Sequence, residues 1–402
     1  MNNSLLHFEQ FVNDRFGTSS APEIAQSLLP ESGAILPLSW RRAAIGSVDI
    51  FSTGSLVAQR VATALQRDGY VMIPVHPLDE DKWSGEPLVA AGRFQASASY
   101  RTVAYVPGDD DPLKGCVADD QLLMLKLHLD APLPGIPGDR RLTRDKVEKC
   151  VLLSDALGAA MERDSMADQL KIVPEFLGFA DADGGVLFRA LPREGVMPLF
   201  SLGSVDRHQS GRKSLIQTLL ESRYGDDSDR ASREFGRDFA RPLVRSLLAG
   251  FRAGFSMEMH AQNTLVEPGT TRLIDYVLYR DLEGVVLSNE FRMSRGMDAL
   301  FPGTSNGELR ETRVKFSRYF SRNYDHDLGR VFHSVLQALV ASGYFDRGTK
   351  RLAVRGIRNV FREALCEAEL GGLARSGRFM PLSRAPYGDG MRTGHYFRTT
   401  FR

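Results

Sequence analysis

Hydrophobic and polar positions along this chain follow two periods, and the switches between them mark out its elements. Residues 1 to about 70 read as helical pieces broken by Pro22, Pro30 and Pro37. From Ser55 to Leu65 the apolar side chains fall at helical spacing, and Gly69 supplies a stop. Tyr70 to Pro77 then reads as a short strand ended by proline. Ser99 to Val106 alternates and is rich in β-branched residues, which predicts another strand. Leu122 to Leu129 predicts one more, with Lys126 inside its apolar run. A lysine there is costly unless its charge meets a partner.

A helix is predicted over about 143–165, with Thr143 as its N-cap and Leu152, Leu153, Leu157 and Met161 on one face. Residues 184–202 read as strands, and 206–234, polar and rich in Ser, Arg and Asp, as a mobile connection. Phe239, Leu243, Leu247, Leu248 and Phe251 share a helical face that opens on Pro242 and ends at Gly254. Strands over about 257–266 and 272–279 are joined by the turn sequence Glu267-Pro268-Gly269-Thr270. Residues 309–370 are mostly helical, with Val331, Phe332, Val335, Leu336, Leu339 and Val340 in one stripe and 352–368 in another. After Arg375 the pattern lapses into a basic tail.

Composition narrows the function classes. The 402 residues carry a formal net charge of +1, so no global field draws the chain to nucleic acid or to a membrane. Cys116, Cys150 and Cys366 are too dispersed for a disulfide framework or a zinc site. The first residues lack the basic start and apolar run of a signal peptide. No apolar run reaches the roughly 20 residues that span a bilayer. The expected location is the cytoplasm. Pro107 to Pro112 is acidic, but it lacks the glycine and closing glutamate of an EF-hand and reads as a solvated turn.

Two polar constellations carry chemistry. In an extended chain Glu258, His260 and Gln262 share one face while Met257, Met259 and Ala261 face the core. The returning strand delivers Arg280-Asp281 and Glu283-Gly284. Carboxylates beside His, Asn and Arg suit Mg²⁺ and phosphate together. A polar face on an exposed hairpin is the plainer alternative. The second constellation is Ser99-x-Arg101-Thr102 with Lys126 and Arg140-Arg141, a set of cations able to hold a triphosphate. A hydroxyl–Arg pair on a strand surface would give the same string. Walker, dinucleotide, zinc-protease and serine-hydrolase signatures are missing.

Taken in order, these segments resemble the aerobactin-synthetase family (IucA/IucC type), the NRPS-independent siderophore (NIS) synthetases. Ile73-Pro74-Val75-His76-Pro77 is similar to the family's PVHPWQ stretch, with Leu78 in place of Trp. Ser99-Tyr100-Arg101-Thr102 matches its Ser-x-Arg-Thr motif, and Leu125 to Leu129 its Lys-Leu-x-Leu strand. Arg140-Arg141 falls near its next arginine, and Phe188-Arg189 resembles a later strand. Glu258 to Asn263 corresponds to E-x-H-x-Q-N, and Arg280-Asp281 to R-D-x-x-G. Residues 1–70 contain only His7 and no GHPxHPxxKxxxG stretch, which implies an N-terminally abbreviated member.

The resemblance implies an α+β fold of cupped-hand architecture. Its regions would be a short helical reduced thumb (1–70), β-rich fingers (71–205) and a mainly helical palm (206–402) carrying the hairpin 257–284. It implies an ATP-dependent ligase that activates a citrate-like or other polycarboxylic acid as an acyl-adenylate and condenses it with an amine or hydroxyl. Nucleotide would be held by Ser99, Arg101, Thr102, Lys126, Arg141, His260, Gln262, Asn263 and Asp281, with Arg101, Lys126 and His260 closest to the chemistry. His76, Arg189 and Arg280 are expected on the substrate, and Glu258 and Asp281 on Mg²⁺. The expected partners are small molecules, and a homodimer is allowed. Two other readings stay open. One is a non-catalytic, degenerate synthetase that binds a pathway intermediate. The other is a kinase-like phosphotransferase, for which His260-x-x-Asn263 before Ile274-Asp275 lacks the catalytic aspartate, Ala261 and Gln262 standing in its place.

Overall fold

The computed structural model describes residues 4–13, 26–83, 87–99, 101–109, 111–131, 140–208, 213–309 and 327–368. The basic tail and the helical expectation over 310–326 lie outside them. The fold class is α+β, as expected. The chain divides into two compact units, residues 1–155, 173–195 and 281–283 forming one, and 156–172, 196–280 and 284–402 the other.

The described elements of the first unit begin with helix α1 (Leu5–Phe11), strands β1 (Ile35–Ala44) and β2 (Asp49–Ser52) and helix α2 (Leu56–Leu65). Strands β3 (Gln66–Arg67), β4 (Tyr70–Pro74), β5 (Val89–Ala96), β6 (Thr102–Val106) and β7 (Gln121–Leu127) follow, then helix α3 (Arg144–Arg163), whose residues from Ala156 on belong to the second unit. Strand β8 (Leu170–Ile172) belongs to the second unit. Strands β9 (Glu175–Asp181) and β10 (Gly184–Pro192) complete the first.

Nine of these strands form one sheet in the order β2-β9-β10-β7-β6-β5-β1-β4-β3. Arg41 on β1 nonetheless makes a bidentate pair with Asp181 at the end of β9, at 2.6 and 2.7 Å. Four strands separate β1 from β9 in that order, so the sheet is curled into a half-barrel. Its core gathers Trp40, Phe94, Leu125, Leu127, Phe179 and Phe188. Helix α2 starts at Ser55, whose hydroxyl accepts from the Ala58 N–H, and buries Ala58, Val61 and Leu65.

Among the described residues, 1–70 therefore hold three strands, β1, β2 and β3, as well as helical pieces. Pro37 read as a breaker, yet it sits where the β1–β5 register shifts and beyond the reach of β4. At such a bulge a missing N–H costs no ladder bond.

The second unit is mainly helical. Strand β11 (Met197–Pro198) leads into the short helix α4 (Leu199–Leu202), so 199–202 are helical rather than extended. The expected mobile connection is instead two helices, α5 (Leu215–Tyr224) and α6 (Ser228–Phe235). They bury Leu215, Ile216 and Leu220, and Ala231 and Phe235, while their charges face outward. Helix α7 (Arg241–Arg252) has Pro242 in its first turn, as predicted. Strands β12 (Phe255–Ser256), β13 (Thr264–Glu267), β14 (Tyr276–Tyr279) and β15 (Val286–Leu287) follow, and β8 joins β14 in parallel to complete the sheet β11-β13-β14-β8. Helices Gly329–Ala341 and Arg347–Glu367 end the described chain. Among the described residues no helix is long and apolar enough to cross a membrane.

Candidate functional site

The first unit concentrates charge at one place. Lys126 lies one residue from the end of β7 and is 1% exposed. It pairs with Asp281 and, at 2.9 Å, with Glu283. Thr102 on β6 is its cross-strand partner and is also buried. Arg101, just before β6, donates to Glu283 Oε2 at 2.5 Å and to the Arg140 carbonyl at 2.5 Å. Helix α3 adds Lys146, 3.3 Å from Glu283 Oε1, and Lys149, whose Nζ donates to the Glu283 carbonyl at 2.9 Å. The fold thus meets the requirement that the lysine inside β7 imposed. A buried ammonium needs acceptors, and the chain returns more than 150 residues later to supply them.

The electrostatics follow from this crowding. Burial pushes the Lys126 ammonium down, but Asp281 and Glu283 outweigh it and its pKa lies above the ordinary lysine value. Burial raises the Asp281 carboxyl, yet Lys126, Arg189 and Arg101 hold it well below the usual carboxylate range. Glu283, raised by burial and lowered by Lys126 and Arg101, ends at about 2. Asp281 adopts φ +74°, a left-handed conformation uncommon outside glycine and best tolerated by Asn and Asp.

Arg189 and Glu175 lie at the base of the same cluster, 2% and 0% exposed and 3.4 Å apart. Hydrogen-bond geometry is not met between them, and Arg189 Nε and Nη2 and Glu175 Oε1 are all buried without an acceptor or donor. Buried donors in that condition are unusual. Glu175 Oε2 is engaged, accepting from the Leu282 N–H at 3.3 Å.

A cavity of about 410 Å³ opens elsewhere in the first unit. Its lining includes Arg41, His76, Trp83, His128, Arg141 and Asp183. His76 is buried, and its Nδ1 accepts from the Leu78 N–H at 3.1 Å, which places the ring hydrogen on Nε2. The His128 ring lies over Gly184, whose φ is +123° and where a Cβ would collide with it. Arg141 is exposed and lines this cavity. Ser99 is half-buried, and its N–H donates to Ser97 Oγ.

The second unit holds the other constellation. The extended face expected for Glu258, His260 and Gln262 does not form, because strand β13 begins only at Thr264. Residues 261–263 are a turn wrapped around His260. The His260 Nδ1 accepts from the N–H groups of Gln262 and Asn263, both at 3.2 Å, and its carbonyl accepts from Asn263 and Thr264. Local side-chain-to-backbone bonds outcompete the strand here. The Met257 and Met259 burial that suggested alternation is real, both being fully buried. With Nδ1 accepting, the ring hydrogen sits on Nε2.

Arg280 is 4% exposed and donates through Nε and Nη2 to the Gln262 carbonyl at 3.1 and 3.0 Å. It clamps the turn. Asn263 donates to the Glu258 carbonyl at 3.4 Å. The Glu258 carboxylate packs where a Cβ on Gly284 would stand, which explains a glycine at that position.

The structure thus gathers Arg101, Thr102, Lys126, Arg189 and Asp281 in one cluster and His260, Gln262, Asn263, Arg280 and Glu258 around one turn. His76 and Arg141 line the cavity. Lys146, Lys149 and Glu175 were not anticipated. Two helical lysines at i, i+3 and a lone glutamate carry no signal of their own in the sequence. Among the described residues no group of three or more His, Cys, Asp or Glu side chains could hold a metal ion by itself.

No protein-family model matches the chain, and none of the curated proteins compared matches it. Solved structures do. Aerobactin synthetase IucA from a hypervirulent pathotype of Klebsiella pneumoniae superposes with a TM-score of 0.63 at 17% identity, over 87% of this chain and 66% of that one. Its ATP-bound form gives 0.66 at 18%, over 88% and 68%. Petrobactin biosynthesis protein AsbB from Bacillus anthracis gives 0.60 at 13%, over 99% and 76%. The chain spans about two thirds of the length of IucA, and it has the fold these proteins share.

Proposed function

We propose that this chain, which carries the fold of the NIS synthetases, is an ATP-dependent ligase that joins a carboxylic acid to an amine or hydroxyl. The observation that carries the reading is the convergence of Arg101, Lys126, Lys146 and Lys149 on Asp281 and Glu283, with Arg189 beside them offering donors that lack a hydrogen-bond acceptor. A triphosphate brings about four negative charges and many acceptor oxygens, which is what such a donor set accommodates. The likeness to IucA, solved with ATP bound, supports the same reading.

In the proposed reaction a carboxylate oxygen attacks the α-phosphorus of ATP and pyrophosphate leaves. An amine or hydroxyl then attacks the acyl carbon, loses its proton, and AMP departs. The acid is citrate-like or another polycarboxylate, and the product a siderophore or related small molecule. Arg101 and Lys126 neutralise phosphoryl charge, and Thr102 lies across from Lys126 on the neighbouring strand. His260 donates from Nε2 to a nucleotide or substrate oxygen, held in place by the Gln262 and Asn263 N–H groups. Arg280 positions that turn. His76 and Arg141 serve the acid from the cavity they line. Asp281 is the proposed carboxylate for Mg²⁺, which usually takes one or two protein carboxylates plus phosphate oxygens and water. When bound, the cation would neutralise phosphate charge.

Product analysis tests the reading. The chain is incubated with ATP, Mg²⁺ and panels of polycarboxylates and amines. AMP and pyrophosphate, formed only with an acid present, support a ligase. ADP with a phosphorylated hydroxyl compound would replace it by a kinase, and no nucleotide turnover would replace it by a binding protein.

A further inference from the structure

We propose that Glu283 is an internal stand-in for phosphate, occupying the Arg101–Lys126–Lys146 cradle without nucleotide and leaving it when triphosphate binds. The inference rests on the reading of this cluster as the triphosphate site and adds to it a determinant of nucleotide affinity.

Glu283 receives three cations on one carboxylate: Arg101 at 2.5 Å and Lys126 at 2.9 Å on Oε2, and Lys146 at 3.3 Å on Oε1. That is the arrangement of a bound anionic ligand, supplied here by the chain itself. Its backbone is pinned independently of its carboxylate. The Glu283 carbonyl accepts from Lys149, and the preceding Leu282 N–H donates to the buried Glu175. The carboxylate, 17% exposed, keeps a route to water on rotatable bonds. Departure of Glu283 leaves Lys126 paired with Asp281 and Arg101 bonded to the Arg140 carbonyl, so neither cation is stranded.

The charge count points the same way. Arg101, Lys126, Lys146, Lys149 and Arg189 face Glu175, Asp281 and Glu283, five cations against three carboxylates. One carboxylate also leaves Arg189 Nε and Nη2 unsatisfied. An anion with more oxygens satisfies more of these donors than Glu283 does. Exchange of one for the other is therefore favourable yet opposed by the bonds Glu283 must release. Nucleotide affinity reflects the difference.

The experiment is titration calorimetry of the full chain with two probes, ATP in the presence of EDTA and inorganic tripolyphosphate. It uses the wild type, Glu283→Gln and Arg101→Gln. The amide keeps the shape of Glu283 and removes its charge, so both probes should bind Glu283→Gln about tenfold more tightly, the worth of one charge-assisted contact no longer displaced. A urea midpoint checks that the variant is folded. Unchanged or weaker binding by Glu283→Gln, with Arg101→Gln impaired, overturns the stand-in and leaves the triphosphate site intact. Wild-type affinity in Arg101→Gln overturns the triphosphate site and the stand-in with it. A repeat with Mg²⁺ separates a further case. Loss of binding by Glu283→Gln only when Mg²⁺ is present, with no gain in EDTA, would assign Glu283 to the metal and overturn the proposal.

Discussion

Replacing Lys126 by methionine keeps the volume of a buried unbranched chain and removes the charge between Asp281 and Glu283. Lys126 is 1% exposed, so nothing from solvent takes its place. Breaking a buried pair by removing one partner costs about 3–5 kcal/mol, because the surviving charge is stranded. Two features argue for the lower end. Glu283 keeps Arg101 at 2.5 Å, and the Asp281 side chain is 25% exposed, so water reaches it. The expected loss is about 3 kcal/mol at pH 7.

The chain has two tryptophans, and both Trp40 and Trp83 belong to the first unit. Urea unfolding followed by their fluorescence therefore reads the unit that holds Lys126. The loss should also depend on pH. Glu283 is held at about 2, below its ordinary 4.5, and Asp281 is lowered as well. Their pairing stabilises fully above the unfolded values and fades as pH falls toward 2. In the variant the depression is relieved, so the gap between wild type and variant should be widest at pH 7 and narrower at pH 3.5. A loss below about 1 kcal/mol at pH 7, or one equal at both pH values, would show that Lys126 is not the buried partner of Asp281 and Glu283.

Other consequences can be checked alongside. His260→Ala should abolish nucleotide turnover while the chain stays folded, with a loss of about 1–2 kcal/mol from the two N–H bonds its imidazole accepts; full turnover would remove it from the site. Gly284→Ala forces the Glu258 carboxylate aside and should lower thermal stability by several degrees, about 1–3 kcal/mol of overpacking; an unchanged melting temperature would show that Glu258 repacks freely. Asp181→Asn leaves Arg41 without its bidentate partner inside the curled sheet. It should destabilise the first unit by about 2–4 kcal/mol in the same fluorescence assay.

Much of this was legible in the sequence, and the gaps have physical reasons. The apolar run of β7 announced that Lys126 needed a partner, but periodicity says nothing about a carboxylate 155 positions away. The helical faces at Ser55–Leu65 and along α7 were read correctly because burial repeats at 3.6 residues there. β1 was hidden by Pro37, whose cost vanishes at a register shift. The stretch 257–263 carried a genuine two-residue burial pattern at Met257 and Met259, yet the imidazole of His260 captures two backbone N–H groups and closes a turn. The polar segment 206–234 hid α5 and α6, whose buried residues are few but correctly spaced. Arg101, Lys126 and Asp281 were singled out and do converge. Lys146, Lys149 and Glu175 were missed because each looks ordinary until the fold turns it inward.

The proposed role of the cluster around Lys126 is to hold ATP for carboxylate activation. Incorporation of labelled pyrophosphate into ATP tests it most directly. Exchange should require a polycarboxylic acid, proceed without any amine, and be lost in Arg101→Gln. Exchange that ignores the acid, or that survives in Arg101→Gln at the wild-type rate, would contradict it.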